Sequence, residues 1–493
     1  MKRNSCFFKS LRWFAGTAVL PGLLLVASAF AANPIPQVVG PPKPQAVVPG
    51  SGDFTLTVYG ANFVSGAVVN WDRSPRSTTF VSARELQAQI LASDVATATA
   101  GHITVTNPAP GGGVSSSSYA QVEVHAPTAT IVARKPHSYL PNNTPWSLVL
   151  SDFNNDGILD FAATGGYEEI KVLLGNGDGT FGHGSVATHN YFNEAAIAKG
   201  DFNNDGNEDL VFGADPNGPP TQLQVALGHG DGKFSRGSRF WHVQNYSLGI
   251  AVGDFNRDGN LDLASISSCC TLSVFLGQGN GSFTHLADYN ESGPAGVLAA
   301  DFNGDGILDL AVLLGMGDGG LFIRLGNGDG TFQEPRLVDP NRHLGCGFGL
   351  GVVVTDFNGD GKADLAYCER DLSENKGKIW VALNNGDGTF KKTATLVVPA
   401  YGGAFTFAAG DFNSDGKTDL IANYSLSGVN DHTETDLFLG NGNGTFQHKK
   451  VVNLPGALNY NAENGVVSAD FNSDGLLDFI FKEPGVVSVF VQK

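Results

Sequence analysis

Asp152-Phe153-Asn154-Asn155-Asp156-Gly157-Ile158-Leu159-Asp160 is one of seven copies of a nine-residue stretch, and every copy keeps the frame D-F-N-x-D-G-x-x-D. The other copies open at Asp201, Asp254, Asp301, Asp356, Asp411 and Asp470, at intervals of 49, 53, 47, 55, 55 and 59 residues. A period of about fifty residues means an array of one supersecondary unit, whose copies bury their apolar faces against one another.

The frame alternates oxygen donors around a sharp bend. Positions 1, 3, 5 and 9 are Asp152, Asn154, Asp156 and Asp160; Asp201, Asn203, Asp205 and Asp209; Asp254, Asn256, Asp258 and Asp262; Asp301, Asn303, Asp305 and Asp309. The last three copies supply Asp356, Asn358, Asp360 and Asp364; Asp411, Asn413, Asp415 and Asp419; and Asp470, Asn472, Asp474 and Asp478. Position 6 is always Gly, while position 7 varies (Ile158, Asn207, Asn260, Ile307, Lys362, Lys417, Leu476), as suits a ligand that acts through its backbone carbonyl. This is the donor pattern of a calcium loop, calcium being a hard cation that takes six to eight oxygens. An EF-hand loop runs twelve residues between helices. This one closes at position 9 between short apolar runs such as Leu148-Val149-Leu150 and Leu310-Ala311-Val312, which places it in a β-hairpin. The alternative is a metal-free Asp-Gly turn. Three carboxylates about 4–5 Å apart repel by about 3–4 kcal/mol per pair at an effective dielectric near 20, and a bare turn has no reason to accept that in every copy. Calcium, up to seven ions in a structural role, is the expectation. Soft-metal sites are excluded, because no Cys or His enters the frame.

The formal charge of the 493-residue chain is −18, and it falls to about −22 once a basic leader is discounted. The loops hold 21 Asp side chains. Much of the acidity is therefore metal-site acidity, and it excludes a nucleic-acid partner.

Residues 1–31 read as a secretory signal. Lys2, Arg3, Lys9 and Arg12 come early, Trp13 to Val26 form an apolar run, and Ala29-Phe30-Ala31 makes a small-x-small cleavage site. No later segment approaches 18 uninterrupted apolar residues, so the mature chain is expected not to span a membrane. Residues 32–126 then show short runs separated by Gly, Pro or Ser. Phe54 to Gly60 alternates with period two, and Ala67 to Trp71, Ser77 to Val81, Leu86 to Ile90, Gly101 to Thr106 and Tyr119 to Val124 follow. Such spacing predicts a β-sandwich. The runs T-L-T-V-Y-G-A-N-F, V-V-N-W and I-T-V-T-N-P-A-P-G-G-G-V-S resemble the IPT/TIG immunoglobulin-like family, which implies a spacer or interaction module.

Residues 127–493 carry the repeats, each read as four short strands. One strand enters the loop, one leaves it, a third ends in a glycine turn and a fourth follows. That turn is G-N-G-D-G-T-F at Gly175 and Gly326, with variants from Gly228, Gly277, Asn384 and Gly440. Seven such units predict an all-β chain, a seven-bladed β-propeller behind an N-terminal immunoglobulin-like β-sandwich. The alternating D-F-N-x-D-G-x-x-D and G-N-G-D-G-T-F boxes resemble the FG-GAP/VCBS repeats of integrin-α-like propellers. In that family the loop residues bind calcium. The seventh unit stops after its third strand, without a glycine turn or fourth strand. Thr130 to Arg134 is expected to supply the missing outer strand, antiparallel to Val486 to Val491.

Other motifs carry less. The glycine turns mimic a nucleotide box but open no helix. Lys199-Gly200-Asp201 mimics a cell-attachment tripeptide, yet Asp201 is the first ligand of a loop. Cys269, Cys270, Cys346 and Cys368 remain after the leader, and two pairings stay open: a Cys346–Cys368 disulfide, and a vicinal Cys269–Cys270 bridge or free thiols. No catalytic motif is present. Glu168-Glu169 and Asp431 to Asp436 are the acidic spots outside the loops. The expected function is a secreted or cell-surface, monomeric, non-enzymatic binding or adhesion protein, of bacterial periplasmic or extracellular location. Its ligand is an extracellular protein or glycan, and Trp146, Tyr167, Trp241, Tyr246 and Tyr401 are candidates for sugar stacking. The alternatives are a calcium-dependent polysaccharide lyase or hydrolase on the propeller face, and a purely structural surface protein.

Overall fold

The computed structural model describes residues 32–115, 120–128, 136–140, 147–165, 169–182, 185–189, 196–214, 222–241, 247–267, 271–291, 293–314, 320–340, 351–371, 376–399, 405–425, 433–450, 466–483 and 486–492. The expected leader, 1–31, lies outside them. The described chain is all-β apart from a single 3-10 turn, Ala92–Val95. Among the described residues no helix is long and apolar enough to cross a membrane.

The N-terminal runs form two sheets. One has the order Gln37–Val38, Phe54–Ala61, Glu85–Ile90, Thr78–Ser82. The other runs Ala46–Val47, Ala120–Val124, Thr99–Asn107, Val68–Trp71, Ser74–Pro75, with Gly113–Val114 paired beside Thr99–Asn107. Period-two alternation turns Leu56 and Val58 of one sheet, and Val69, Trp71, Ile103 and Val105 of the other, into a single shared core.

The repeats fold as seven four-stranded antiparallel sheets, an arrangement consistent with a propeller. The first consists of Leu148–Ser151, Asp160–Gly165, Glu169–Leu173 and Ser185–His189 in that order. Burial grades across each sheet. The second strand of the third sheet, Asp262–Ser267, is buried at every position, whereas its fourth strand, Phe283–Asn290, is mostly exposed or half-buried. A strand covered by neighbours on both faces is buried along its whole length, here with the polar Asp262, Ser265 and Ser267 included, and a strand at the rim is not. Each sheet packs on the next through its own apolar cluster. Leu223 and Phe202 of the second meet Leu261, Leu263 and Phe275 of the third. Leu148, Phe161 and Leu173 of the first meet Ile480, Val487 and Val489 of the last, so the sheets close into a ring.

The last sheet is completed from the other end of the repeat region. Val466–Ala469, Asp478–Glu483 and Val486–Phe490 are joined by His137–Tyr139, antiparallel, with His137 opposite Val489 and Tyr139 opposite Val487. Residues 130–134, expected in this place, lie outside the described residues. What fixes the register at 137–139 is Tyr139. Its hydroxyl accepts the N–H of Phe181 at 2.9 Å, and its ring packs edge-on against Phe161 and Phe181. Tyr289 does the same in the fourth strand of the third sheet, accepting the N–H of Phe332 at 2.8 Å.

Candidate metal loops

Each nine-residue loop joins the first and second strands of its sheet, and the pairing stops at position 9, as in Ser151 opposite Asp160 and Ala300 opposite Asp309. The glycine turns join third to fourth strands, so loops and glycine turns share one end of the ring. Position 6 has φ between +79° and +87° in all seven copies, which only Gly adopts without strain. Position 4 is also left-handed in every copy, with φ from +56° to +84°, although Asn155, Asn204, Arg257, Ser414 and Ser473 hold it in five of them. The sequence frame, with x at this position, gave no sign of that.

Within the first loop Asp152 accepts through both oxygens, from the N–H of Asp156 at 3.1 Å and of Gly157 at 2.8 Å. Asn154 Oδ1 accepts from the Asp156 N–H at 3.1 Å, and its amide donates to Asp156 Oδ2 at 2.8 Å. Asp156 Oδ1 accepts from the Ile158 N–H at 2.8 Å. The second, third and seventh loops repeat this set. Position-7 side chains do other work. Asn207 and Asn260 accept from Asn155 and Asn204 of the preceding loops, while Lys362 and Lys417 pair with Asp360 and Asp415.

The ninth residue is a clasp. Asp309, fully buried, accepts the N–H of Phe302 through one oxygen and of Gly326 through the other, both at 2.8 Å. Asp160, Asp209, Asp262, Asp364, Asp419 and Asp478 repeat the arrangement, tying position 2 of their loop to Gly175, Gly228, Gly277, Asn384, Gly440 and Gln492. In the fourth sheet the chain passes so close that a Cβ on Gly326 would lie 2.2 Å from the Leu308 carbonyl, whereas Asn384 takes the equivalent place in the fifth. The missing seventh glycine turn is thus replaced by the backbone of Gln492.

A second set of bonds links neighbouring sheets. The carbonyl at position 2 of one loop accepts from the glycine turn of the next sheet: Phe153 from Gly232, Phe202 from Gly281, Phe255 from Gly330, Phe302 from Gly388 and Phe357 from Gly444. Gly179 of the first sheet donates to Phe471 of the last at 3.1 Å, and the Gln492 amide donates to Phe412 at 3.2 Å. Every sheet junction of the ring therefore carries one such bond.

Burial dominates the electrostatics. It pushes the carboxyls of Asp160, Asp209, Asp309 and Asp364 up to about 7 and those of Asp262 and Asp419 up to about 8, against the pull of their N–H donors. Asp478 is pushed up as well. Among first-position residues, Asp254 and Asp470 rise to about 6, Asp411 to about 7, and Asp201 and Asp301 also rise. Neighbouring carboxylates at positions 1 and 5 add to each clasp. Among the described residues no three His, Cys, Asp or Glu side chains stand together as a preformed cage. The donor set still suits a hard cation: carboxylate oxygens at positions 1, 5 and 9 with the amide oxygen at position 3 repel one another, the ninth buried and the fifth open to solvent in loops such as the first and fourth, and offer only oxygen. To bind a metal the first and fifth positions would turn lone pairs from their N–H donors.

The N-terminal sheets lie over this end of the ring, within the one compact unit formed by residues 32–493. Ile35 donates its N–H to Asp254 Oδ2 at 2.8 Å and joins the apolar cluster between the second and third sheets. Asn62 donates to the Asp254 carbonyl, and Thr128 to that of Asn413. Ser414 donates to the buried Glu123 at 3.0 Å. Lys43, Arg73 and Arg84 form ion pairs with Asp356, Asp152 and Asp301. Sequence reading singled out the loops in these contacts but missed their partners Ile35, Lys43, Asn62, Arg73, Arg84, Glu123 and Thr128.

Of the other expected features, Cys368 is buried and disulfide-bonded, and Cys346, Cys269 and Cys270 lie outside the described residues. Trp146, Tyr167, Tyr246 and Tyr401 also lie outside them, and of Trp241 only the backbone is described. Glu168 and Asp431 are likewise outside. Asp436 is buried, accepting from the Tyr424 hydroxyl at 3.0 Å and facing His448 at 3.0 Å.

A family model described as FG-GAP-like repeat matches residues 152–212, 201–265, 254–312, 301–367 and 356–422. The match takes in the first six loops and does not extend to residues 32–126. Among curated proteins none matches this chain in sequence. A lectin from Burkholderia pseudomallei shares the fold at 15% identity and a TM-score of 0.52, covering 72% of this chain and 96% of its own. Auxiliary nutrient binding proteins from Bacteroides ovatus and Bacteroides thetaiotaomicron align at 13% identity over 93% of this chain and 98% of theirs. Their TM-scores are 0.39 and 0.38, and at those values the backbones diverge widely.

Proposed function

The chain belongs to the FG-GAP-like repeat family, and from that premise we propose that it is a secreted, calcium-binding, seven-bladed β-propeller that acts as a binding or adhesion module for an extracellular glycan or protein. Residues 32–126 are read as an IPT/TIG-like immunoglobulin sandwich, 127–493 as the propeller and 1–31 as a removed leader. Calcium is held by positions 1, 3, 5 and 9 of the loops with the backbone of position 7. Its role is to neutralise carboxylates that the fold otherwise crowds together around a buried ninth position.

The observation that carries the binding role is the closed ring. Sheet-to-sheet bonds at every junction make a rigid platform, and the named lectin with this fold is by its name a sugar-binding protein. The loop end carries the ion pairs to the N-terminal sheets at the first, fourth and fifth loops, so the partner is assigned to the opposite end and the rim. The test is a glycan array probed with the full chain in about 5 mM calcium, enough to fill extracellular-type sites, and again in chelator. The expected result is binding to a defined glycan class that weakens in chelator, together with a higher melting midpoint in calcium. No glycan bound and an unchanged midpoint would defeat the proposal.

A further inference from the structure

The first-position aspartates of three loops are held by cations that arrive from the N-terminal sheets. Arg84 Nε lies 2.9 Å from Asp301 Oδ2, and Lys43 Nζ lies 3.0 Å from Asp356 Oδ2. Arg73 pairs with Asp152 Oδ2 and also donates to the Asn155 carbonyl at 2.9 Å. The three come from separate places: Lys43 precedes Ala46–Val47, Arg73 sits in the turn before Ser74–Pro75, and Arg84 in the turn before Glu85–Ile90. Yet each reaches the same atom of its loop, the Oδ2 that also accepts the position-6 glycine N–H.

The second loop is different. Among the described residues no hydrogen bond or ion pair joins the N-terminal sheets to residues 201–209, and Asp201 accepts from the N–H groups of Asp205 and Gly206 in its own loop. The fifth loop carries a further cation, with Lys362 Nζ 2.9 Å from Asp360 Oδ2. A fixed positive charge beside a carboxylate opposes a second cation there, most strongly where the pair is shielded from water. Asp301 and Asp356 are so shielded, with side chains 2% and 5% exposed.

We propose that Arg73, Arg84 and Lys43 are tethered competitors of calcium at the first, fourth and fifth loops, so that these loops take the ion more weakly than the second. Because coupling between two binding events is reciprocal, calcium filling these loops loosens the N-terminal sheets from the ring by the same factor. The inference rests on the calcium reading above. The fifth loop, with two protein cations, is the last to fill.

The test is a calorimetric calcium titration of the full chain beside a triple variant, Arg73→Gln with Arg84→Gln and Lys43→Gln. The wild type is expected to show a weak class of sites, and the triple variant to bind at those sites about tenfold or more tightly. Arg73→Gln alone, at a half-exposed side chain outside any core, moves one site and keeps the test decisive should the triple variant not fold. Hydrogen exchange supplies the second readout, since calcium is expected to speed exchange around Lys43, Arg73 and Arg84 in the wild type. Equal calcium affinities in wild type and variants, or exchange untouched by calcium, overturn the proposal. If no protein in the series binds calcium, the calcium reading itself falls and this inference with it.

Discussion

Asp309→Ala separates the clasp from the metal chemistry, provided it is compared with Asp305→Ala in the same loop. Asp309 is fully buried and is the acceptor for two backbone donors, Phe302 and Gly326, each at 2.8 Å. Alanine leaves both N–H groups buried without a partner, at about 1–3 kcal/mol each, or about 2–6 kcal/mol together. Relief of repulsion with Asp301 and Asp305 acts in the opposite direction and favours the lower part of that range. Asp305 is exposed, and although it accepts from Ile307 and Asn303, water replaces those bonds, so its loss costs about 0.5 kcal/mol or less. At about 1–2 °C per kcal/mol for a ring of this size, a cost of about 2–4 kcal/mol means that Asp309→Ala is expected to lower the midpoint by about 2–8 °C in chelator. Asp305→Ala is expected to be nearly silent there, and to show its effect only when calcium is added. The assay is a melting curve of each full-length variant with and without chelator. Equal midpoints for the two variants in chelator would refute a metal-independent clasp at the ninth position that the fifth position does not share.

In chelator, stability is expected to fall as pH rises from about 5 to 8. The clasp carboxyls titrate near 7 to 8 in the folded chain and near 4 when unfolded, so across that window the folded state holds more protons and loses its advantage as they leave. Calcium should flatten the profile, and a chelator profile that rises with pH would contradict the burial of these groups. Gln492→Ala keeps the backbone bond to Asp478 but strips the Phe412 carbonyl of its donor, at about 1–3 kcal/mol, read as a lower urea midpoint; an unchanged midpoint would mean that this junction needs no bond. Tyr139→Phe and Tyr289→Phe remove equivalent acceptors from Phe181 and Phe332 and should cost about 1–2 kcal/mol each. A silent Tyr139→Phe beside a costly Tyr289→Phe would dissociate His137–Tyr139 from ring closure.

Spacing along the chain determined the repeat, the hairpin position of each loop, the oxygen-only donor set of its frame and the strands of the N-terminal sheets. All of these depend on neighbours a few residues apart, whose alternation or periodicity is visible without a fold. Phe54–Ala61 and Thr99–Asn107, for instance, lie within one or two residues of their expected bounds. The clasp made by Asp309 was not visible, since a metal ligand and a clasp call for the same carboxylate and differ only in what its oxygens face. A three-residue strand such as His137–Tyr139 has too few positions to show a period, and the usable signal was the matching place of Tyr139 and Tyr289 ahead of their loops. The pairing of Arg73 with Asp152, 79 residues apart, has no trace in either local sequence. It exists because two sets of sheets, each folded by its own local pattern, pack in one orientation, and that orientation is set by contacts such as Ile35 in the ring's apolar cluster rather than by any motif.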